Sequence, residues 1–303
     1  MTPFGDRLAQ ACLDRDVPLA VGLDPHLDRL PAPLRARYEG LHGAPFRQAA
    51  ASAVADWGAR VVDALAGRVA AVKPQVAFFE QLGAPGFAAL EALCRQARDA
   101  DLLVIADAKR GDISSTAAAY ARTYLGPDPA FPADALTVSP YLGLDTLEPF
   151  LTECRAQGGG LFVLVRTTNP GSATLQHHGA PALSDVVAAG LESAGATLTG
   201  ASGLHGVGAV VGASAADDAR RLRGLMPGAW FLVPGVGAQG GTVAQALAGA
   251  RADGLGVLPV ASRSVLFPSA PDAAFDRDPA SFVATQADAL AASVRAGWRA
   301  VRG

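Results

Sequence analysis

Two of the 25 lysine and arginine residues in the chain are lysines, Lys73 and Lys109. An ammonium group can release a proton near neutral pH when its surroundings lower its pKa, whereas a guanidinium cannot. Lys73 follows the apolar residues 71–72, and Lys109 comes just after the apolar run 104–106. Either lysine is simply rare in an arginine-rich composition, or both lysines are candidates for proton transfer or for a compact positive charge in a tight site. The apolar flanks favour the second interpretation.

Asp107, Lys109 and Asp112 leave the same apolar run and form the spacing Asp-x-Lys-x-x-Asp. Alternation along an extended chain places Asp107 and Lys109 on the same side. We expect Asp112 at the start of the next helix, where an N-cap carboxylate and a local ion pair are a purely structural alternative. That alternative does not account for Asp107 or for a buried lysine. With Lys73, these residues form an array of alternating charge, which suits burial because its members compensate one another.

Eight short apolar runs, each followed by a helical pattern, organise the chain. Near-continuous apolar runs are typical of parallel strands buried on both faces. The predicted strands are residues 18–24, 69–75, 102–107, 135–139, 161–166, 207–212, 230–234 and 254–260. The predicted helices are residues 48–66, 84–99, 113–123, 143–156, 180–197, 215–225, 240–250 and 279–300. Eight β-then-α units predict a (β/α)8 barrel in one domain, residues 1–303, with a doubly wound open sheet as the alternative. The segments 25–47 and 267–281 are expected to be surface insertions.

In such a barrel, catalysis takes place at the carboxyl ends of the strands. The polar residues predicted there are Asp24, Lys73, Asp107, Lys109, Asp112, Ser139, Thr168, Gln239 and Arg263. Four glycines surround Gln239 before a helix, so this segment is either a flexible turn or a loop whose backbone N–H groups approach a phosphate. Arg263 follows the eighth strand and suits a bidentate phosphate contact. Because the loops after strands seven and eight are the usual phosphate site of these barrels, we expect a phosphate here.

Composition excludes several classes of protein. The net charge is −3, whereas a protein that binds nucleic acid or an anionic membrane is expected to be basic. No signal peptide is evident, and the long charge-free stretch of residues 193–216 is interrupted by glycine and serine. The three scattered cysteines predict reduced, mostly buried thiols in a cytoplasmic protein. The pair His177-His178 lacks a nearby acidic partner in the sequence, so we expect neither a metal site nor another cofactor.

Six segments in order resemble those of the orotidine 5′-phosphate decarboxylase family, in particular its longer bacterial branch. The resemblance covers nearly the whole chain, and its segments are residues 21–25, 72–74, 107–116, 167–171, 234–241 and 261–264. Thr168 stands where serine is expected, and its hydroxyl can make the same bonds. Ser262 stands where glycine is common before the arginine. The family resemblance implies a cofactor-free (β/α)8-barrel lyase that converts orotidine 5′-phosphate to UMP and CO2.

The resemblance also implies roles for single residues. Lys109 protonates C6 of the pyrimidine as CO2 leaves, Asp107 faces the substrate carboxylate, and Lys73 bridges the ribose and the charged array. Asp112 and Thr116 reach into the partner's site of a homodimer. The remaining residues implied to bind substrate are Asp24, Thr168, Pro234, Gln239, Gly240 and Arg263.

Two other functions stay open at this point. A metal-dependent sugar-phosphate decarboxylase or aldolase of the same barrel superfamily would need a carboxylate, not Lys73, at the end of the second strand. A non-catalytic phosphate-binding barrel would have no need for the four charged residues Lys73, Asp107, Lys109 and Asp112.

Overall fold

A computed structural model describes residues 1–237 and 240–303. Eight parallel strands pair in sequence order and form a closed barrel, because the first strand also pairs with the eighth. The strands are β1 (Ala20–Leu23), β2 (Ala71–Pro74), β3 (Leu103–Arg110), β4 (Ala135–Val138), β5 (Gly160–Arg166), β6 (Val207–Val211), β7 (Phe231–Pro234) and β8 (Val257–Ala261). The barrel prediction is confirmed, and the open-sheet alternative is wrong.

The helices of the described residues surround this barrel. They are α1 (Phe4–Asp14), α2 (Ala32–Arg35), α3 (Gly43–Leu65), α4 (Val76–Glu80), α5 (Ala84–Asp99), α6 (Ser114–Leu125), α7 (Glu148–Gln157), α8 (Ser172–Gln176), α9 (Leu183–Gly195), α10 (Ala216–Leu225), α11 (Val243–Ala246), α12 (Arg263–Leu266), α13 (Ala273–Arg277) and α14 (Pro279–Arg302). Three short 3-10 turns lie at Leu27–Arg29, Leu144–Leu147 and Ala196–Leu198. Within the described part of the chain, no helix is long and apolar enough to cross a bilayer.

Helix α1, which is not among the helices predicted from the sequence, covers the amino-terminal end of the barrel. The buried ring of Phe4 meets Phe162 of β5 edge to face, with 5.9 Å between the ring centres. Trp230 Nε1 donates a hydrogen bond of 3.2 Å to the carbonyl oxygen of Gly5. These contacts close the amino-terminal end of the barrel with apolar side chains, so a polar site can open only at the carboxyl end.

The two expected surface insertions pack against each other and partly join the core. Arg29 donates to the carbonyl oxygen of Pro268 at 2.9 Å, and the backbone N–H of Ala32 donates to Asp276 at 2.7 Å. Phe267 is buried and stacks on Trp57 of α3, with 5.4 Å between ring centres. The polar composition that predicted a surface location therefore hides apolar anchors that fix both segments beside β8 and β1.

Candidate active site

A cavity of about 250 Å³ opens at the carboxyl ends of the strands. Every strand of the barrel contributes a residue to its wall, directly or from the loop that follows it. The residues predicted from the sequence that line this cavity are Asp24, Lys73, Asp107, Lys109, Pro234 and Arg263. The expected convergence of these strand ends at one site is thus observed, and the β2–β4 side of the cavity carries its two lysines.

Asp107 is the centre of the β2–β4 side. Its Oδ2 accepts hydrogen bonds from Lys73 Nζ at 2.5 Å and from Gln75 Nε2 at 3.0 Å. Its Oδ1 accepts from Lys109 Nζ at 2.6 Å and from Thr137 Oγ1 at 3.0 Å. The carboxylate is buried, with 7% of the residue exposed, so these four donors replace the water that it loses.

The charges of this array compensate one another. Burial alone would raise the pKa of Asp107, but the ammonium groups of Lys73 and Lys109 outweigh burial and hold that pKa well below its usual range. Burial alone would lower the pKa of Lys73, but the carboxylates of Asp107 and Asp24 raise it above its usual value. Lys73 is therefore a fixed positive charge at neutral pH, which favours the point-charge role over proton transfer for this lysine.

Lys109 stands at an irregularity of β3. The side chain is 47% exposed, so its ammonium is accessible from the cavity while it remains paired with Asp107. Its φ is +48°, a left-handed conformation that residues other than glycine rarely adopt. Such backbone strain is found preferentially at functional sites, where surrounding contacts maintain it.

The loop after β7, on the side of the cavity opposite β2–β4, is rich in glycine. Gly235 and Gly237 have φ values of +103° and +79°. A Cβ atom on Gly241 would lie 2.6 Å from the carbonyl oxygen of Gly235, so a side chain does not fit there. Gly240, with φ of +84°, donates its N–H to the carbonyl oxygen of Gly237 at 2.8 Å and is exposed. The predicted contact Gln239 lies outside the described residues.

Two buried polar atoms on the β8–β1 side lack a hydrogen-bond partner within the described structure, Asp24 Oδ1 and Ser262 Oγ. Both lie close to Gly22 of β1, since a Cβ atom placed there would be 3.4 Å from Asp24 Oδ1 and 3.5 Å from Ser262 Oγ. Arg263 follows Ser262 and begins α12. Unpaired buried polar atoms in a cavity are costly without a ligand or water, so this side is suited to receive hydroxyl and anionic groups.

Five predicted residues that the structure describes do not line the cavity: Asp112, Thr116, Ser139, Thr168 and Gly240. Thr168 is exposed, and its neighbour Thr167 lines the cavity instead. Thr116 is exposed on α6, and Asp112 is partly exposed before that helix. The structural alternative for Asp112 is wrong: the N-cap of α6 is Ile113, without a side-chain cap, and within residues 1–237 and 240–303 Asp112 Oδ1 accepts only from the N–H of Ile113, at 2.7 Å.

Gln75 and Thr137, which both donate hydrogen bonds to Asp107, were not predicted from the sequence. Gln75 directly follows β2, two residues after Lys73, and Thr137 is a hydroxyl inside an otherwise apolar strand. Either position could have been found by asking why a polar residue interrupts a buried run.

The statement that His177 lacks an acidic partner is also wrong, because its Nε2 lies 3.3 Å from Asp218 Oδ2. Across residues 1–237 and 240–303, no group of three or more His, Cys, Asp or Glu side chains is arranged to hold a metal ion.

Known proteins are similar to this chain in sequence and in fold. The family model described as orotidine 5′-phosphate decarboxylase / HUMPS family matches residues 18–277. The chain is 42% identical over 273 residues to the orotidine 5′-phosphate decarboxylase of Rhodopirellula baltica, covering 88% of this chain and 89% of that protein. It is 43% identical over 270 residues to the enzyme of the same name from Deinococcus radiodurans, covering 88% and 90%.

A solved structure agrees with these relatives. The structure of Leishmania donovani OMP decarboxylase superposes with a TM-score of 0.75 at 33% identity, covering 99% of this chain and 100% of that one. The barrel, the charged array at its carboxyl end and these matches over most of both sequences lead to one conclusion. The chain belongs to the orotidine 5′-phosphate decarboxylase / HUMPS family.

Proposed function

We propose that this protein is an orotidine 5′-phosphate decarboxylase, a carboxy-lyase that forms UMP and CO2 in the last step of de novo pyrimidine nucleotide synthesis. The observation that carries the proposal is the buried Asp107 carboxylate held between the ammonium groups of Lys73 and Lys109 in the cavity. Such an array supplies a negative charge to meet a substrate carboxylate and a proton donor beside it. It needs no cofactor to do so.

The chemistry follows from the charges. Two like charges 4 Å apart repel by about 4 kcal/mol at an effective dielectric constant of 20. A substrate carboxylate placed against Asp107 meets this repulsion, which fades as the carboxylate becomes neutral CO2. The electron pair of the broken C–C bond stays on C6, and the Lys109 ammonium donates a proton to that carbon. Lys73, held protonated by Asp107 and Asp24, binds the ribose and keeps the carboxylate in place.

In this proposal, the rest of the nucleotide binds to the cavity wall formed by β7, β8 and β1 and the loops that follow them. We call this wall the β7–β1 side. Asp24 Oδ1, buried without a partner among the described atoms, accepts a hydrogen bond from a ribose hydroxyl. Arg263 pairs with the 5′-phosphate, because a guanidinium offers two parallel N–H donors to phosphate oxygens. The remaining proposed contacts are Pro234, Gln239 and Gly240 for the phosphate and Thr168 for the base.

We also propose a homodimer in which Asp112 and Thr116 complete the partner's site. Exposed apolar side chains lie next to this region: Ile113 is 57% exposed, Tyr141 76% and Leu142 54%. Exposed apolar groups on neighbouring loops are typical of a surface that another protein chain covers. We propose a cytoplasmic location, with the substrate as a small molecule and with neither nucleic acid nor membrane as a partner.

The metal-dependent sugar-phosphate reaction is the second candidate, because the family description includes HUMPS proteins. The donor set argues against it. The end of β2 carries Lys73, whose buried ammonium would repel a cation at the position where that reaction needs a carboxylate.

A turnover assay tests the proposal. Addition of orotidine 5′-phosphate to the protein is expected to cause loss of the orotate absorbance, with UMP as the product. Binding of UMP without any absorbance change would support a non-catalytic phosphate-binding barrel instead. A change that requires added Mg²⁺ would support the metal-dependent reaction.

A further inference from the structure

The pairing of β3 with β4 contains an irregularity at the active site. Ala106 pairs with Leu136, and Arg110 pairs with Val138. Three residues of β3, Asp107 to Lys109, therefore stand opposite one residue of β4, Thr137. A bulge of this kind interrupts the backbone ladder and re-aims side chains. Both Asp107 and Lys109 line the cavity.

The hydroxyl of Thr137 replaces a backbone hydrogen bond that the bulge interrupts. Its Oγ1 accepts a hydrogen bond of 2.9 Å from the backbone N–H of Lys109. The same oxygen donates a hydrogen bond of 3.0 Å to Asp107 Oδ1, the oxygen that also binds the Lys109 ammonium. One atom therefore fixes both the backbone and the ion-pair partner of Lys109. Thr137 is 1% exposed, so water cannot replace it cheaply.

The chemical type of residue 137 matters because only a group that accepts and donates at the same atom can make both bonds. A serine or threonine hydroxyl does this. Valine has nearly the shape of threonine but neither accepts nor donates, so it would leave the Lys109 N–H and one lone pair of Asp107 unpaired. Lys109 would then hold its φ of +48° without the hydrogen bond that fixes it.

From this geometry we infer that Thr137 is a positioning residue, which holds the Lys109 ammonium in line with the reacting carbon by pinning the β3 bulge. The inference rests on the proposed decarboxylation, because Lys109 acts there as the proton donor. Thr137 acts through Lys109 and Asp107 and need not contact the substrate. Its loss should therefore reduce the rate of the chemical step while leaving nucleotide binding largely intact.

The test compares Thr137→Val with Thr137→Ser. We expect Thr137→Val to lower kcat roughly a hundredfold, since a small misplacement of a catalytic group has an effect of that order. KM and the affinity for UMP should change less than about threefold. The substitution leaves in place the nucleotide contacts that are equally strong in the ground state and the transition state. Thr137→Ser keeps the hydroxyl and should retain kcat to within about fivefold.

A matched control is Thr146→Val, which also removes a buried threonine hydroxyl. Thr146 is 5% exposed and donates to the carbonyl oxygen of Gly143, away from the charged array. This variant should not show the fall in kcat. Equal losses in Thr137→Val and Thr146→Val, or a Thr137→Ser variant as slow as Thr137→Val, would overturn the inference.

Amide hydrogen exchange measures the hydrogen bond from the Lys109 N–H to Thr137 Oγ1 without requiring turnover. The N–H of Lys109 should be protected in the wild type and in Thr137→Ser, and should exchange faster in Thr137→Val while the strands β1 and β6 remain protected. Unchanged protection at Lys109 in Thr137→Val would contradict the inference even if the protein had no decarboxylase activity. Failure of the wild type to act on orotidine 5′-phosphate, with the exchange pattern as expected, would overturn the proposed function and, with it, a positioning role in that reaction.

Discussion

Asp107 accepts four side-chain hydrogen bonds within the cavity, whereas Asp24 Oδ1 and Ser262 Oγ, in the same cavity, have no partner in the described structure. On the β2–β4 side, the hydrogen bonds of the central carboxylate are thus formed before any ligand binds. The β7–β1 side has glycine-rich backbone and polar atoms whose hydrogen bonds remain to be made.

This difference separates two tasks. Groups that stabilise developing charge work best when they are fixed before the reaction, because they then need no reorganisation during it. Groups that bind a ligand gain most when their hydrogen bonds are formed with that ligand. We therefore assign chemistry to the β2–β4 side and nucleotide binding to the β7–β1 side.

The largest effect is expected from Lys109→Ala, which removes the proton donor from the β2–β4 side. Decarboxylation should fall by at least about a thousandfold, near the upper range for loss of a general acid. UMP binding should be weakened but measurable by calorimetry, because the β7–β1 side is unchanged. Turnover within about tenfold of the wild type would contradict the role of Lys109 as the acid.

The β2–β4 side is also predicted to need Asp112 from a partner subunit. Asp112→Ala and Lys109→Ala are each expected to be inactive alone, but their co-expression should restore activity. In a mixed dimer one site carries both lesions and the other carries neither, so random pairing gives about a quarter of wild-type activity per site. Steady-state assays of the unfractionated co-expression product, with its heterodimer content verified, measure this recovery.

The parent variants are the controls and must both lie well below that level. If verified heterodimers show no recovery, Asp112 acts within its own barrel. The β2–β4 side would then be complete within a single subunit.

Arg263→Ala should damage binding on the β7–β1 side and spare the chemistry. A charge-assisted hydrogen bond contributes about 1.5–3 kcal/mol, so KM for orotidine 5′-phosphate should rise roughly 10- to 150-fold. Binding of uridine, which lacks the phosphate, should change little. Titration of both ligands into the variant measures the difference, and equal losses for nucleoside and nucleotide would make Arg263 a structural residue.

The smallest effect is expected from exhaustive chelation, which should leave kcat and KM unchanged. Positive charge near the substrate is already supplied by Lys73, Lys109 and Arg263. Activity is measured after dialysis against EDTA, with and without added Mg²⁺. A loss that Mg²⁺ restores would favour the sugar-phosphate reaction and would assign part of the chemistry to a metal.

The strands could be predicted because apolar runs buried on both faces leave a strong local pattern. Helix α1 could not, since its burial depends on Phe162 and Trp230, which lie far along the sequence. The insertions were assigned to the surface from their polar composition. Their buried residues, such as Phe267, are single apolar anchors that carry no periodic signal.

The charged members of the site were predictable for a related reason. Lys73, Asp107 and Lys109 are charged residues at the ends of apolar strands, a combination that is expensive without a function. Thr137 is visible in the sequence as a hydroxyl within an apolar strand, but its role comes from the register of β3 against β4, which the sequence does not show. Asp112 was given a structural alternative at the helix start, and that failed because α6 begins two residues later, at Ser114.

The most direct test of the division between the two sides is Asp107→Asn, with kcat for orotidine 5′-phosphate and Kd for UMP measured on one preparation. The amide removes the negative charge at the centre of the array while keeping its size. Our account predicts that kcat falls at least about a hundredfold, because the repulsion of the substrate carboxylate and the ion pair of Lys109 are both lost. The Kd for UMP, which has no carboxylate, should change less than about threefold. A variant with wild-type kcat, or one that loses turnover and UMP binding in equal measure, would contradict the assignment of chemistry to the β2–β4 side.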